Sequence, residues 1–344
     1  MNSIKRYHLL DCLRLASMFA IIIFHCGEFI FFNDKSIGNP SFIYNTTTYY
    51  ARLIPFSGHS IIFLSFLLWG LTKKKITLKL YYIILFFFGH FVINFSFSDN
   101  FTDIMNWDIY PFLFVSFLAI IAISNLSRSI KKIISIASLI LLFIPTHFFH
   151  FQVSSDLLAD CIYGACQRGL SGSWPLLPWI ALPIFAYTSG SLLSNYKKEL
   201  SVLTLKEVIF WTFSLVISLC SIYFIYPWSL FNVPIGANFY CFMLNLRPTE
   251  FWSYFFPFLF LLRISFLRSL NVKLNSLSFF NYISKLHWNT HFGLTYVCHI
   301  FILFIFSYFS EYYTQSLYLY DLSLISIIPL SEILARILSS LLKD

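Results

Sequence analysis

Apolar runs of membrane length recur along the whole chain, separated by short polar segments. Ten can be placed, at 9–31, 53–71, 78–98, 109–126, 132–150, 174–193, 207–226, 251–269, 288–309 and 317–338. A helix needs about 20 apolar residues to cross a bilayer, and each run comes close to that. Several carry Pro or Gly, which helices in lipid tolerate better than soluble ones. There is no large soluble domain, low-complexity linker or internal repeat. The pattern predicts an all-α integral membrane protein, a bundle of about ten transmembrane helices forming one domain over residues 1–344.

The polar segments give this bundle a direction. With the first run entering from the cytoplasm, 18 of the 23 Lys and Arg fall on cytoplasmic segments and only Lys35, Arg52, Arg168 and Arg247 on the opposite side. Basic residues concentrate on the cytoplasmic side of membrane proteins, so both termini are expected there. Lys5 and Arg6 ahead of the first run resemble the start of a signal peptide. The run is too long for one, however, carries Asp11 and Arg14, and has no small-x-small cleavage site after it.

Composition agrees with lipid as the solvent. Hydrophobic residues make up 58% of the chain and charged ones 11%, against about 25% charged in soluble proteins, and the mean hydropathy is +0.74. The net charge of +8 is spread between apolar runs rather than gathered on a soluble face, which excludes a nucleic-acid partner. Seven cysteines match no zinc or haem spacing. Cys161 and Cys166 share one extracytoplasmic loop, as a local disulfide or as two free thiols.

The first run is unlike the others, because it carries Asp11, Arg14, His25 and Glu28. A charged group at the centre of a membrane helix costs about 2.5–3.5 kcal/mol or more. Arg14 and His25 are eleven residues apart, so helical geometry returns them to within about 20° of each other, roughly 16 Å apart along the axis. Asp11 and Glu28 extend the same stripe at either end. A permanent cation near one face and a titratable base deep within would suit a long ligand threaded between them. The plainer alternative is an interfacial Asp11–Arg14 ion pair and a histidine bonded to a neighbouring helix.

Arg14, ten residues, His25 in the first of about ten spans resembles the membrane-bound acyltransferase superfamily. The resemblance is to acyltransferase type 3 proteins and to bacterial relatives of heparan-α-glucosaminide N-acetyltransferase. RYHLLDCLRLASMFAIIIFH is similar to the family's opening, a basic residue, Leu-Asp-x-x-Arg, small and apolar residues, then His. Weaker similarities follow in order, in FLSFLLWGLTKKK, NWDIYPFLFVSFLAI, WPLLPWIALPIFAYTSGSLL and FFNYISKLHWNTHFGLTYVCHIFIL, the last ending its motif on Tyr296 and His299. Two departures stand out. Phe66 follows Ser65 where the family usually has Gly, and a lysine run, Lys73 to Lys75 with Lys79, replaces an arginine pair.

The resemblance implies transfer of an acyl group, commonly acetyl from cytoplasmic acetyl-CoA, to a hydroxyl of an extracytoplasmic or lipid-linked glycan at the bacterial cytoplasmic membrane. The residues suit that chemistry. Histidine is the side chain whose ordinary pKa fits a base near neutral pH, so His25 is the expected base, with Glu28 orienting its ring. Arg14 would anchor a CoA phosphate or polarise the thioester, held by Asp11. Lys75, Lys79 and Arg128 are candidates to grip nucleotide phosphates, or are simply part of the cytoplasmic charge bias. Asp108, Trp174 and His299 are candidates for the acceptor side, with helix capping by Asp108 and ordinary packing of His299 as alternatives. His59 and His90 are further cavity candidates. His287 and His291 have metal-like spacing without a nearby acidic residue, so no metal site is expected. A transporter or flippase for a lipid-linked sugar is the competing function.

Overall fold

The computed structural model describes residues 7–31, 57–72, 83–84, 86–91, 109–144, 176–221, 248–310 and 317–341. These residues contain thirteen α-helices and no strand. The first seven are α1 (His8–Phe31), α2 (Ser57–Thr72), α3 (Ile109–Ser124), α4 (Arg128–Leu142), α5 (Ala181–Leu193), α6 (Lys197–Leu200) and α7 (Leu205–Cys220). Then come α8 (Pro248–Ser265), α9 (Arg268–Asn275), α10 (Ser278–Lys285), α11 (His287–Thr290), α12 (Phe292–Ser310) and α13 (Leu317–Leu341). Among the described residues one stretch, Asp321–Leu341, is long and apolar enough to cross a membrane; Phe255–Ser265 and Arg268–Asn275, bent by 73° at their junction, make a second if taken together.

Helices occupy nine of the ten predicted runs, and the run at 78–98 is helical at 83–84 and 86–91. The chain departs from expectation between residues 268 and 291. The hydropathy pattern predicts one continuous span at 288–309 and no run between 269 and 288. Instead α9 and α10 intervene, and the span is broken at His291 (φ −131°, ψ 48°) into a single turn, α11, and the long α12.

Where helices begin, the local sequence supplies the caps. Ser127 accepts from the Ile130 amide at the start of α4. Thr204 and Glu207 form a capping box at the start of α7, each side chain bonding the other's backbone, which satisfies donors that a helix start leaves open. α2 and α5 approach so closely that their backbones touch at glycines. A Cβ on Gly70 would stand 2.2 Å from the Tyr187 carbonyl oxygen, and one on Gly190 2.3 Å from that of Leu67.

Several helices are inside out by the standard of a soluble protein. α4 buries Ser135 and Ser138 while exposing Ile133 (66%), Ile136 and Ile140. α13 buries Ser323, Ser331 and Ala335 and exposes Leu322, Ile325 and Ile333. α7 buries Ser218 and exposes Ile209, Phe210 and Phe213 (65%). The buried hydroxyls find local partners. Ser135 and Ser189 share a 3.1 Å bond between α4 and α5, and Ser331 donates to the Ile327 carbonyl at 2.6 Å.

α1 is the hub. It packs against α2, α8, α9, α10, α11, α12 and α13, and its face toward them carries Leu10, Met18, Ile22 and Cys26, all buried. α11 is a single turn clasped from two sides. The Glu332 carboxylate of α13 accepts from the His287 amide at 2.9 Å and 3.0 Å and from that of Trp288 at 3.4 Å. Arg336 ties the same carboxylate at 2.8 Å. Glu332→Ala strips acceptors from two amides that a helix start cannot otherwise satisfy. An unsatisfied buried donor costs about 1–3 kcal/mol, so thermal unfolding of the purified variant is expected several degrees below wild type. An unchanged melting temperature would show that the clasp adds nothing.

Candidate functional site

α1 carries Asp11, Arg14 and His25 into the bundle, and α11 and α12 meet them. His25 Nδ1 lies 3.0 Å from His299 Nε2, with the imidazole rings stacked 10° from parallel. Both histidines are buried, His299 completely. A hydrogen bond between two ring nitrogens needs one donor and one acceptor, so the contact holds one proton and keeps the two rings in complementary states. Around the pair stand aromatic side chains. The Tyr296 ring centroid is 4.7 Å from that of His299 and 6.0 Å from that of His25. Trp288 stands 6.0 Å from His299, and Tyr110 of α3 stands 6.0 Å from Tyr296.

Arg14 is fixed at the other end of the α1 stripe. Its Nη1 donates to the Asn289 carbonyl at 3.0 Å, at the C-terminal end of the α11 turn. Asn289 is itself buried, its amide donating to the Ile283 carbonyl at 2.9 Å. The single turn thus presents amides to Glu332 and a carbonyl to Arg14. Asp11 lies buried one turn before Arg14.

The described part of the α1 stripe has two polar centres, one at Asp11 and Arg14 and one at His25. On the face between Arg14 and His25, Met18 and Ile21 are 1% and 3% exposed. Helical rise sets the two centres roughly 16 Å apart, with this apolar filling between them.

Among the other sequence candidates, Arg128 donates to the Tyr196 hydroxyl at 2.9 Å with its guanidinium 5.5 Å from that ring. His59 is buried against Trp179, ring centroids 4.3 Å apart, and His90 lies beside Phe91. Phe66, at the position where the resemblance expects Gly, is buried against Trp69. Lys75, Lys79, Asp108, Trp174, Cys161 and Cys166 lie outside the described residues, as does the side chain of Glu28.

Three contributors escape sequence reasoning. Glu332 is 45 residues from His287 and reaches it only because α13 packs along α11. It brings an acid within 3.4 Å of the His287 ring, where the sequence places none nearby. Among the described residues no group of three His, Cys, Asp or Glu could hold a metal. Asn289 acts through its backbone, which no residue pattern reveals. Tyr110 lies at the start of a mostly apolar run. The one available signal is the polar density of KLHWNTH across the start of a predicted span, which marks the break at His291.

Comparisons of the chain with protein-family models, curated proteins and solved structures give no match.

Proposed function

We propose that the protein is a multi-span membrane acyltransferase that moves an acetyl or other acyl group from cytoplasmic acetyl-CoA to a hydroxyl of an extracytoplasmic or lipid-linked glycan. The observation that carries the reading is the buried His25–His299 pair on helices whose other end holds Arg14. Burying two imidazoles in contact, ringed by tyrosines, gains little for packing that apolar side chains would not give more cheaply. It does provide a base whose proton has somewhere to go.

In this reading about ten helices form the bundle, both termini are cytoplasmic, and the membrane is the bacterial cytoplasmic one. The inside-out helices support a lipid surround, since small polar residues favour helix contacts in lipid while large apolar ones face outward. Arg14 holds the donor's anionic end on the cytoplasmic side. His25 takes the acceptor hydroxyl proton as the oxygen attacks the thioester carbonyl. The new C–O bond forms, the C–S bond breaks, and the proton passes to the departing thiolate. His299 is a positioning residue that fixes the His25 ring. For the acyl group to reach His25 from a donor held at Arg14, Met18 and Ile21 must yield; methionine is the most adaptable of apolar side chains.

The test is acetyl-CoA dependence. Protein in proteoliposomes is expected to release free CoA in the presence of a lipid-linked saccharide, and the cell's surface glycan to lose one acetyl mass per repeat when the gene is removed. No thiol release and an unchanged glycan would end the proposal. Arg14→Lys keeps the charge but loses the planar fork. It is expected to raise the apparent KM for acetyl-CoA about tenfold or more with a smaller change in kcat; a normal KM removes Arg14 from donor binding.

The broken helix at His291 favours one second reading, a flippase or transporter for a lipid-linked sugar, because discontinuous helices often frame transport sites. It predicts movement of a labelled sugar lipid with no consumption of acetyl-CoA.

A further inference from the structure

Away from the histidine pair lies a chamber of about 540 Å³, within the roughly 300–1,000 Å³ of typical ligand pockets. Leu139 of α4, Phe185 and Leu192 of α5, Trp211 of α7 and Leu259 of α8 form much of its wall. Of its fifteen lining residues only Ser189, Glu207 and Arg263 are polar. α4 packs on α5 and α7 packs on α8, so the chamber sits between two helix pairs. The outer faces of α4 and α7 beside it expose Ile136, Ile140, Phe210 and Phe213. It is a recess in the surface that, on the membrane reading, meets hydrocarbon.

Its polar end has a definite charge order. Arg263 is 7% exposed. Its Nε and Nη2 donate to Glu207 Oε1 at 3.3 Å and 2.9 Å, Nη1 to the Leu200 carbonyl at 2.8 Å and Nη2 to the Val202 carbonyl at 2.9 Å. A guanidinium has five N–H groups, so these four bonds leave one hydrogen on Nη1. Glu207 Oε2 accepts from the Thr204 amide at 2.9 Å and hydroxyl at 3.1 Å and Oε1 from Arg263, yet the side chain stays 37% exposed, so it meets a cation with its charge rather than with a vacant lone pair. The end therefore presents a donor for an anionic oxygen beside a partly exposed negative charge, below apolar walls.

We infer that this chamber binds one acyl chain of an amine-bearing zwitterionic phospholipid, its phosphate toward Arg263 and its ammonium toward Glu207. The inference rests on the membrane embedding of the proposed function and not on acyl transfer. Charge complementarity selects the head group, and the apolar walls accept the chain without sequence-like specificity.

The experiment is photolabelling of the full-length protein in phosphatidylglycerol nanodiscs containing a trace of phosphatidylethanolamine with a diazirine in one acyl chain. Labelling mapped by mass spectrometry is expected to concentrate on chamber-lining residues of α5, α7 and α8. Unlabelled phosphatidylethanolamine should reduce it about tenfold, and the same amount of added phosphatidylglycerol should not. Leu192→Trp fills the chamber and is expected to reduce labelling similarly; Leu139→Trp repeats the test if the first variant does not accumulate. Glu207→Gln keeps a residue that serves in a capping box and is expected to keep the chain labelled while losing the head-group preference. Labelling spread evenly over outward faces and unaffected by either Trp variant overturns the site. Equal competition by phosphatidylglycerol in the wild-type protein overturns the head-group assignment. None of these readouts needs acetyl-CoA, so failure here and failure of the transferase reading are distinguishable.

Discussion

Replacing His25 with Ala is expected to lower acyl transfer by about 10²- to 10⁴-fold, the usual contribution of a positioned general base, with the amount of folded protein unchanged. The expectation follows from geometry more than from residue type. His25 is buried, and its Nδ1 is held 3.0 Å from His299, so the ring is fixed in one place. His299 acts through His25, so its variants should separate position from chemistry. His299→Ala is expected to lower kcat about tenfold or more with little change in KM, and His299→Gln, which can still hydrogen bond, to recover part of it. Full activity in His25→Ala would remove the base. Equal damage in His299→Gln and His299→Ala would mean that the second ring does more than hold the first.

The second large effect concerns the α2–α5 contact. Gly190→Val is expected to abolish accumulation of folded protein, and Gly190→Ala to lower thermal stability clearly. A single added methyl group would meet the Leu67 carbonyl oxygen at 2.3 Å, and this obstacle is backbone, which no rotamer change can move aside. Overpacking of this kind commonly costs about 1–3 kcal/mol for small additions and more for larger ones. Gly70 faces the same difficulty against the Tyr187 carbonyl, so Gly70→Ala should behave alike. Size-exclusion profiles and melting temperatures check both. A Gly190→Val protein with wild-type elution and melting would show that the helices can separate at no cost.

Much of the helical framework was legible because apolar runs of membrane length leave few alternatives to a helix. α1, α2, α3 and α12 lie within a few residues of the runs that predict them. The break at His291 shows in the sequence only as the polar run KLHWNTH, which reads equally well as the start of a span. It depends on Glu332 and Arg14 satisfying the ends of a one-turn helix from elsewhere in the chain. At the site, periodicity puts Arg14, Met18, Ile21 and His25 on one side of α1, yet says nothing of which helices cover that side. His299 was placed among acceptor contacts, and its partnership with His25 is a matter of how two distant helices dock. The orientation of Arg128 toward Tyr196 likewise depends on where α5 ends.

The two histidines are 274 positions apart in the chain, on the earliest helix and the last but one of those described. During synthesis, α1 therefore emerges with Arg14 and His25 long before Asn289 and His299, which meet them at 3.0 Å in the folded chain, exist. On the membrane and transferase readings proposed above, a polar first helix waits at the edge of the translocation apparatus, and the site is complete only near the end of translation. Stalling a nascent chain before residue 287 should leave α1 extractable by alkaline carbonate, whereas a chain extended past residue 341 should resist extraction.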